Sequence, residues 1–256
     1  MAEYTTIRSG AGVRTAQIDE GLRAHMNKVY GTMSVGMVIT AAAAWAMSGL
    51  SVTEAVTAYP IREGQYLTDF GYALFASPLK WVVMFLPLVM VFALSAMINR
   101  LSAAAAQLFF YTFAAAMGVS ISWIFLVFSS FSIVQVFLIT AVAFAGLSLY
   151  GYVTKRDLSG MGTFLMMGVI GLLVAMVVNI FLQSPAMMFA ISAIGVLLFA
   201  ALTAYDTQNI KATYLAHAQG GDSEWLGKAA IMGALTLYLD FINMFMFMLQ
   251  LFGNRE

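Results

Sequence analysis

Ala229-Ala230-Ile231-Met232-Gly233-Ala234-Leu235-Thr236-Leu237-Tyr238-Leu239-Asp240-Phe241-Ile242-Asn243-Met244-Phe245-Met246-Phe247-Met248-Leu249-Gln250-Leu251-Phe252 runs for 24 residues with a single charge. As an α-helix it is about 36 Å long at ~1.5 Å per residue, enough to cross a hydrocarbon layer of about 30 Å. Its apolar residues cover every face rather than one stripe, so its surroundings are apolar all round. Asp240 lies twelve residues after Lys228 and twelve before Phe252, hence about 18 Å from either end and near the midplane.

Six further runs of this kind lie upstream, roughly Val29 to Leu50, Leu79 to Ile98, Gln107 to Phe128, Phe131 to Tyr150, Phe164 to Leu182 and Met187 to Tyr205. Each is bounded by charges, turn residues or proline. The whole chain is 62% hydrophobic and 9% charged, with a mean hydropathy of +0.88. That leaves too little polar surface to cover a water-soluble domain of 256 residues. The expected fold is therefore all-α: a polytopic seven-helix membrane bundle over 29–252, preceded by a cytoplasmic segment 1–28 and followed by a short tail 253–256. The first 28 residues are polar and the first apolar run is long, so no cleaved signal peptide is expected. Two spans join across Ser129 and Ser130, and two more across Gln183, Ser184 and Pro185. The latter pair of residues suits a helix start, with a capping hydroxyl and then a residue that needs no N–H in the first turn.

Basic residues are retained on the cytoplasmic side of a membrane. With the amino terminus cytoplasmic, that side holds Arg8, Arg14, Arg23, Lys28, Arg100, Lys155, Arg156, Lys211 and Lys228, against Arg62, Lys80 and Arg255 outside, or 9 to 3. A re-entrant last span would return Arg255 inside and give 10 to 2, so the charge count alone leaves the seventh crossing open. Net charge is zero and cysteine is absent, which gives no footing for nucleic-acid binding, disulfides or thiol chemistry, and the two histidines give little for a metal site. Outside the spans, Ile18, Leu22, Met26 and Val29 repeat at helical spacing and predict an interfacial lead-in helix, with a disordered tail as the alternative. Ser51 and Glu54 have the spacing of a capping box and predict a short surface helix there. Gly31, Gly36, Gly118, Gly168, Gly171 and Gly233 lie inside spans, where small residues let helices approach closely.

The informative residues are charges that lipid should exclude. Asp240 cannot be moved into water by any choice of boundary. Asp206 lies in Tyr205-Asp206-Thr207-Gln208-Asn209-Ile210-Lys211, about 7.5 Å inside the cytoplasmic end if that helix continues to Lys211. Arg100 stands where the second span emerges. Each has a bland reading: an interhelical hydrogen bond for Asp240, a solvated surface residue for Asp206, a snorkelling anchor for Arg100. The sharper reading sets the two aspartates face to face as a coupled pair titrating in the physiological range, with Arg100 as counter-ion. On ideal helices the two differ in depth by roughly 10 Å, a gap that tilt or a late entry of the last helix must close.

These two segments resemble the Bax inhibitor-1 family of small seven-helix membrane proteins. Tyr205-Asp206-Thr207-Gln208-Asn209-Ile210 is similar to the family's Y-D-x-x-x-I motif, and Leu235-Thr236-Leu237-Tyr238-Leu239-Asp240-Phe241-Ile242-Asn243-Met244-Phe245 to its L-x-L-Y-L-D-F-I-N-L-F motif. Tyr111-Thr112-Phe113, eleven residues after Arg100, also resembles family members. The resemblance implies a central helix seven enclosed by the other six, and a pH-sensitive leak of cations, notably calcium. It makes Asp206 and Asp240 the pH sensor, gate and candidate calcium ligands, Arg100 their counter-ion, and Tyr205, Tyr238 and Asn243 supporting polar residues. Departures are the longer Gly220-Gly221-Asp222-Ser223 loop and Met244 where leucine is usual. No cofactor is expected beyond a transported or bound calcium. The implied partners are the bilayer, calcium, protons and a candidate membrane-protein partner. Separately, no organellar or secretory presequence is read at the amino terminus, which fits a bacterial-type inner (plasma) membrane, with an endomembrane as the alternative.

Two other classes compete. Intramembrane aspartyl proteases also pair aspartates on helices six and seven, but Leu237, Tyr238 and Leu239 stand where such enzymes need glycines, and none of Pro60, Pro78, Pro87 or Pro185 supplies their Pro-Ala-Leu segment. No enzyme is expected, and with no lysine in span seven the chain cannot anchor retinal. A non-transporting scaffold or modulator of other membrane proteins is compatible with every residue.

Overall fold

The computed structural model describes residues 3–62, 64–220 and 222–255, with side chains described from residue 18 onward, residue 219 excepted. Seven of its helices are long and apolar enough to cross a membrane. The chain runs α1 (Glu3–Ser51), three short strands β1 (Val52–Thr53), β2 (Pro60–Arg62) and β3 (Gln65–Leu67), then α2 (Asp69–Phe75) and α3 (Leu79–Met97). It continues through α4 (Ala103–Ile121), the one-turn α5 (Ile124–Val127), α6 (Ser130–Val153), α7 (Gly162–Leu182), α8 (Pro185–His217) and α9 (Ser223–Phe252). Helices α1, α3, α4 with α5, α6, α7, α8 and α9 are the seven spans in order.

The innermost helix is α9. Leu237 and Tyr238 are fully buried, as are Ala230, Ile231, Ala234 and Leu249. It packs chiefly against α1, α4, α6 and α8, while α3 lies outside on α4 and α7 outside on α8. The central helix is therefore ringed mainly by four neighbours rather than six. The outer helices turn bulky side chains outward: Phe85, Leu88, Val89 and Phe92 on α3, and Phe164, Met167, Val174 and Phe181 on α7, are exposed. In lipid this costs nothing, because an exposed apolar side chain is already in an apolar solvent.

Cohesion comes instead from close approach and buried hydroxyls. Gly151 on α6 sits against the backbone of Ala204 on α8, and Gly118 on α4 against Thr40 on α1. Thr40 Oγ1 lies 2.6 Å from the Tyr238 hydroxyl and donates within reach of the carbonyls of Gly36 (3.0 Å) and Ala114 (2.8 Å), so α1, α4 and α9 meet at one side chain. The rings of Phe110 and Phe113 stand edge-on to Tyr238, at 5.6 and 5.5 Å.

The Ser184–Pro185 helix start is as expected, with Ser184 Oγ accepting from Met187 N–H. Two expectations fail. The lead-in is continuous with the first span as one helix, and Leu22, Met26 and Val29 are buried against protein rather than laid on an interface. No helix starts at Ser51, which is the last residue of α1: Val52 and Thr53 pair antiparallel with Leu67 and Tyr66, and the cap belongs to Thr68, whose hydroxyl accepts from Gly71 N–H at the start of α2. The seventh crossing, by contrast, is settled. Helix α9 is unbroken over 30 residues, and beyond it Asn254 N–H donates to Ser132 Oγ at the first turn of α6 while its carbonyl accepts from Ser129 N–H. The chain end thus docks on the α5–α6 hairpin, at the opposite end of the bundle from Lys228.

Candidate functional site: a carboxyl pair between helices α8 and α9

Helix α8 is a 33-residue rod that continues well past Lys211, and α9 returns antiparallel to it after a short turn. That turn is closed by Asp222, which caps α9 through Trp225 N–H (3.0 Å), and by the His217 and Trp225 rings stacked at 4.1 Å. Because Gly233 lacks a side chain, Ile210 packs directly onto its backbone. With Ile210 opposite Gly233, Asp206 falls level with Leu237, and Asp240 lies three residues, or about 4.5 Å, deeper.

Side chains on a helix lean toward its own amino terminus. In this antiparallel pair Asp240 leans toward the cytoplasmic end and Asp206 toward the midplane, so each covers part of the remaining offset. The two carboxyl groups come within hydrogen-bonding reach of one another. The depth gap expected from the sequence is thus about halved by register and closed by side-chain direction. Both oxygens of an ionised carboxylate only accept, so a bond between the two requires a proton on one of them. Asp240 is 4% exposed, and its Oδ2 has no hydrogen-bond partner.

Access is one-sided. Asp206 is half-buried and lines a cleft of about 310 Å³ shared with His25, Asn99, Asn209, Lys228 and Thr236, where α1, α3, α8 and α9 converge. Asp240 stands behind it and does not line the cleft. Lys228 Nζ is the cation in the lining, 4.0 Å from Glu224 one turn earlier. Arg100 is not placed as a counter-ion: it is exposed just past α3, makes no ion pair with either aspartate, and is absent from the cleft. The reason is local, since α3 packs on α4 and not on α9, leaving its end free to carry a charge outward.

The supporting polar residues point elsewhere. The Tyr205 hydroxyl rests on Gly162 at the start of α7. Tyr238 reaches Thr40 on the far side of α9, and Asn243 Nδ2 donates to the carbonyl of Leu239 in its own helix at 2.9 Å. Reading the sequence for charge missed a second polar connection. The Tyr30 hydroxyl lies 2.6 Å from Ser148 Oγ, which lies 2.9 Å from Thr207 Oγ1, so α1, α6 and α8 are linked next to Asp206. No sequence signal separates these hydroxyls from the many that bond back into their own helix, as Thr203 does to Phe199. Among the described residues no three acidic or histidine side chains cluster as a metal cage. A calcium ion, which takes six to eight oxygens, would be held by the two carboxyls together with amide, hydroxyl and water oxygens of the cleft.

Residues 22–256 match the family model for inhibitor of apoptosis-promoting Bax1. The chain is 42% identical over 240 residues to an uncharacterized protein of Caulobacter vibrioides, covering 93% of this chain and 92% of that one. It is 42% identical over 237 residues to the inner membrane protein YbhL of Escherichia coli K12 (92% and 94% covered). A third relative, the uncharacterized protein RP147 of Rickettsia prowazekii, is 38% identical over 257 residues and aligned over the full length of both chains.

Proposed function

The chain belongs to the Bax inhibitor-1 family, and on that premise we propose that it is a pH-sensitive cation leak channel or transporter of the bacterial inner membrane, with calcium as its cation. The observation that carries the reading is the contact between two carboxyl groups inside a membrane bundle, one of them enclosed and the other facing a polar cleft. A midplane carboxyl costs several kcal/mol in lipid and usually marks an ion or proton path. The location follows from seven apolar spans and from a close relative named as an inner membrane protein.

In this mechanism a proton shared between Asp206 and Asp240 ties α8 to α9. Its loss leaves two anions that repel each other and attract a divalent cation, so pH acts on the packing of the central helix and on cation affinity together. Calcium enters from the cleft, where Asp206 meets it first and the amide oxygens of Asn99 and Asn209 replace part of its water shell. A hydrolytic role draws no support from the packing: before the enclosed aspartate Leu237 and Tyr238 are fully buried and Leu239 is a bulky, half-buried side chain, so a substrate backbone finds no small residue to approach there.

The test is calcium flux into liposomes holding the purified protein, between about pH 5 and 8, for wild type, Asp206→Asn and Asp240→Asn. The expected result is a pH-dependent flux in the wild type whose pH dependence is lost in both variants. Folded, inserted protein with no flux above empty liposomes would sink the channel reading and favour a scaffold.

A further inference from the structure

Apart from the aspartate cleft the bundle carries a second, larger opening. Helices α1 and α6 both pack on α9, and between them they leave a groove of about 1050 Å³. Its floor is Phe144 and Phe241, in edge-to-face contact at 5.5 Å, and its walls include Met37 and Ala41 on α1 and Ala145 and Leu149 on α6. We propose that this groove binds an anionic glycerophospholipid of the cytoplasmic leaflet, with an acyl chain lying along the apolar walls and the phosphate at Arg23.

The groove is polar at one end only. Arg23, Asn27, Tyr30, Ser148 and Tyr152 line it where α1 enters and α6 leaves the membrane on the cytoplasmic side, and Ser34 lies one turn deeper than Tyr30. Beyond Ser34 the lining is methionine, alanine, valine and phenylalanine. This is the polarity profile of a phospholipid. The charge also fits. Arg23 is exposed and makes no ion pair among the described residues, although Asp19 and Glu20 stand one turn before it. A second cation, Lys211, donates to the Tyr152 carbonyl (2.8 Å) and lies 5.1 Å from the centre of its ring, while Lys155 and Arg156 follow directly after α6, with Asp157 as their acidic neighbour. Basic sites between transmembrane helices on the cytoplasmic side suit anionic head groups.

The lining separates a lipid from a partner's transmembrane helix. An arginine with no ion pair among the described residues and a patch of hydroxyl and amide groups at one end of an apolar track match a phosphate ahead of an acyl chain. The apolar span of a partner helix would bring no charge to answer Arg23.

The test is native mass spectrometry of the delipidated full-length protein, titrated with phosphatidylglycerol and phosphatidylcholine of matched acyl chains. The expected result is retention of one lipid in wild type, with phosphatidylglycerol held about fivefold more tightly for the cation at the phosphate. Arg23→Gln should bring phosphatidylglycerol down to the level of phosphatidylcholine. Ala145→Trp, at an exposed position in the groove wall, should release both lipids, whereas Val142→Trp, exposed on the same helix outside the groove, should release neither. Equal retention of the two lipids by wild type, or wild-type retention by Ala145→Trp, would overturn the proposal. So would a protein that co-purifies with wild type and is lost from Ala145→Trp, because that would make the groove a helix-docking site. Arg23→Gln changes an exposed residue only, so the head-group half of the test stands even if the tryptophan variant is poorly folded.

Discussion

Gly151→Ala is the sharpest test of how the α6–α8 contact is made. A Cβ at this position would lie 2.9 Å from the carbonyl carbon of Ala204 and 3.0 Å from its Cα, with the carbonyl oxygen nearer still. Those atoms are backbone and cannot rotate away, so to reach an ordinary carbon–carbon separation of about 3.5 Å the helices must part by at least about 0.6 Å. Overpacking of this kind costs about 1–3 kcal/mol. Alanine also gains about 0.5–1 kcal/mol of helix propensity over glycine, which would blur the result. Gly146 on the same helix removes that ambiguity: a Cβ there meets nothing within 4 Å, so Gly146→Ala takes the same gain without the clash. The difference between the two variants therefore isolates the contact and should be about 1–3 kcal/mol, with Gly151→Ala the less stable. Reversible unfolding in mixed detergent micelles, followed by the fluorescence of the four tryptophans, measures it. If Gly151→Ala proves as stable as Gly146→Ala, the close approach of α6 and α8 is wrong, and with it the placement of Thr207 beside Ser148.

The Tyr238 hydroxyl bonds Thr40 deep in the bundle, so Tyr238→Phe should cost about 1 kcal/mol in the same unfolding assay while leaving calcium flux pH-dependent; loss of that dependence would bring Tyr238 into the gate. The chain has no native cysteine, which makes orientation directly measurable. Ser129→Cys and Asn254→Cys should react with a membrane-impermeant maleimide added outside intact cells, and Asn99→Cys and Ser223→Cys only after lysis; the reverse pattern would invert the topology drawn from the basic residues.

The seven spans were legible because lipid imposes a simple requirement, about 20 apolar residues whose backbone bonds close within the helix, and the runs satisfy it without help from tertiary structure. The aspartates were legible for the converse reason, as charges in a medium that excludes them. What the sequence hid are features that depend on which helix neighbours which. Arg100 follows its span as an anchor or a counter-ion equally well, and only the packing of α3 on α4 decides for the outside. Ser51 and Glu54 carry a cap's spacing, yet strand pairing of Val52 and Thr53 with Tyr66 and Leu67 takes the backbone elsewhere, an interaction that local pattern does not contain. The Tyr30–Ser148–Thr207 connection joins residues 118 and 59 positions apart, and no periodicity spans such intervals.

The same arrangement says which conformation the structure represents on the channel reading. From the cleft a cation reaches Asp206, and past it Asp240, but in the next two turns of α9 toward the outer side the one polar side chain is Asn243, whose amide nitrogen is tied to the Leu239 carbonyl. Met244, Phe245, Met248 and Leu249 are all buried there against the neighbouring helices. Phe137 stands edge-on to Phe245 at 6.0 Å, and Thr140 spends its hydroxyl on the Val136 carbonyl and the Met248 sulfur. A desolvated divalent ion cannot cross such a plug, since one amide oxygen is far short of the six to eight that calcium needs. On the proposed channel reading this is a closed conformation, and opening would have to move α9, or α6 beside it, along the layer outside the aspartates. On the same reading, repulsion between Asp206 and Asp240 would act where α9 is fixed to α8 through the Ile210–Gly233 contact, so a proton shared by the proposed pair would be joined to the layer of methionine and phenylalanine side chains by a single helix.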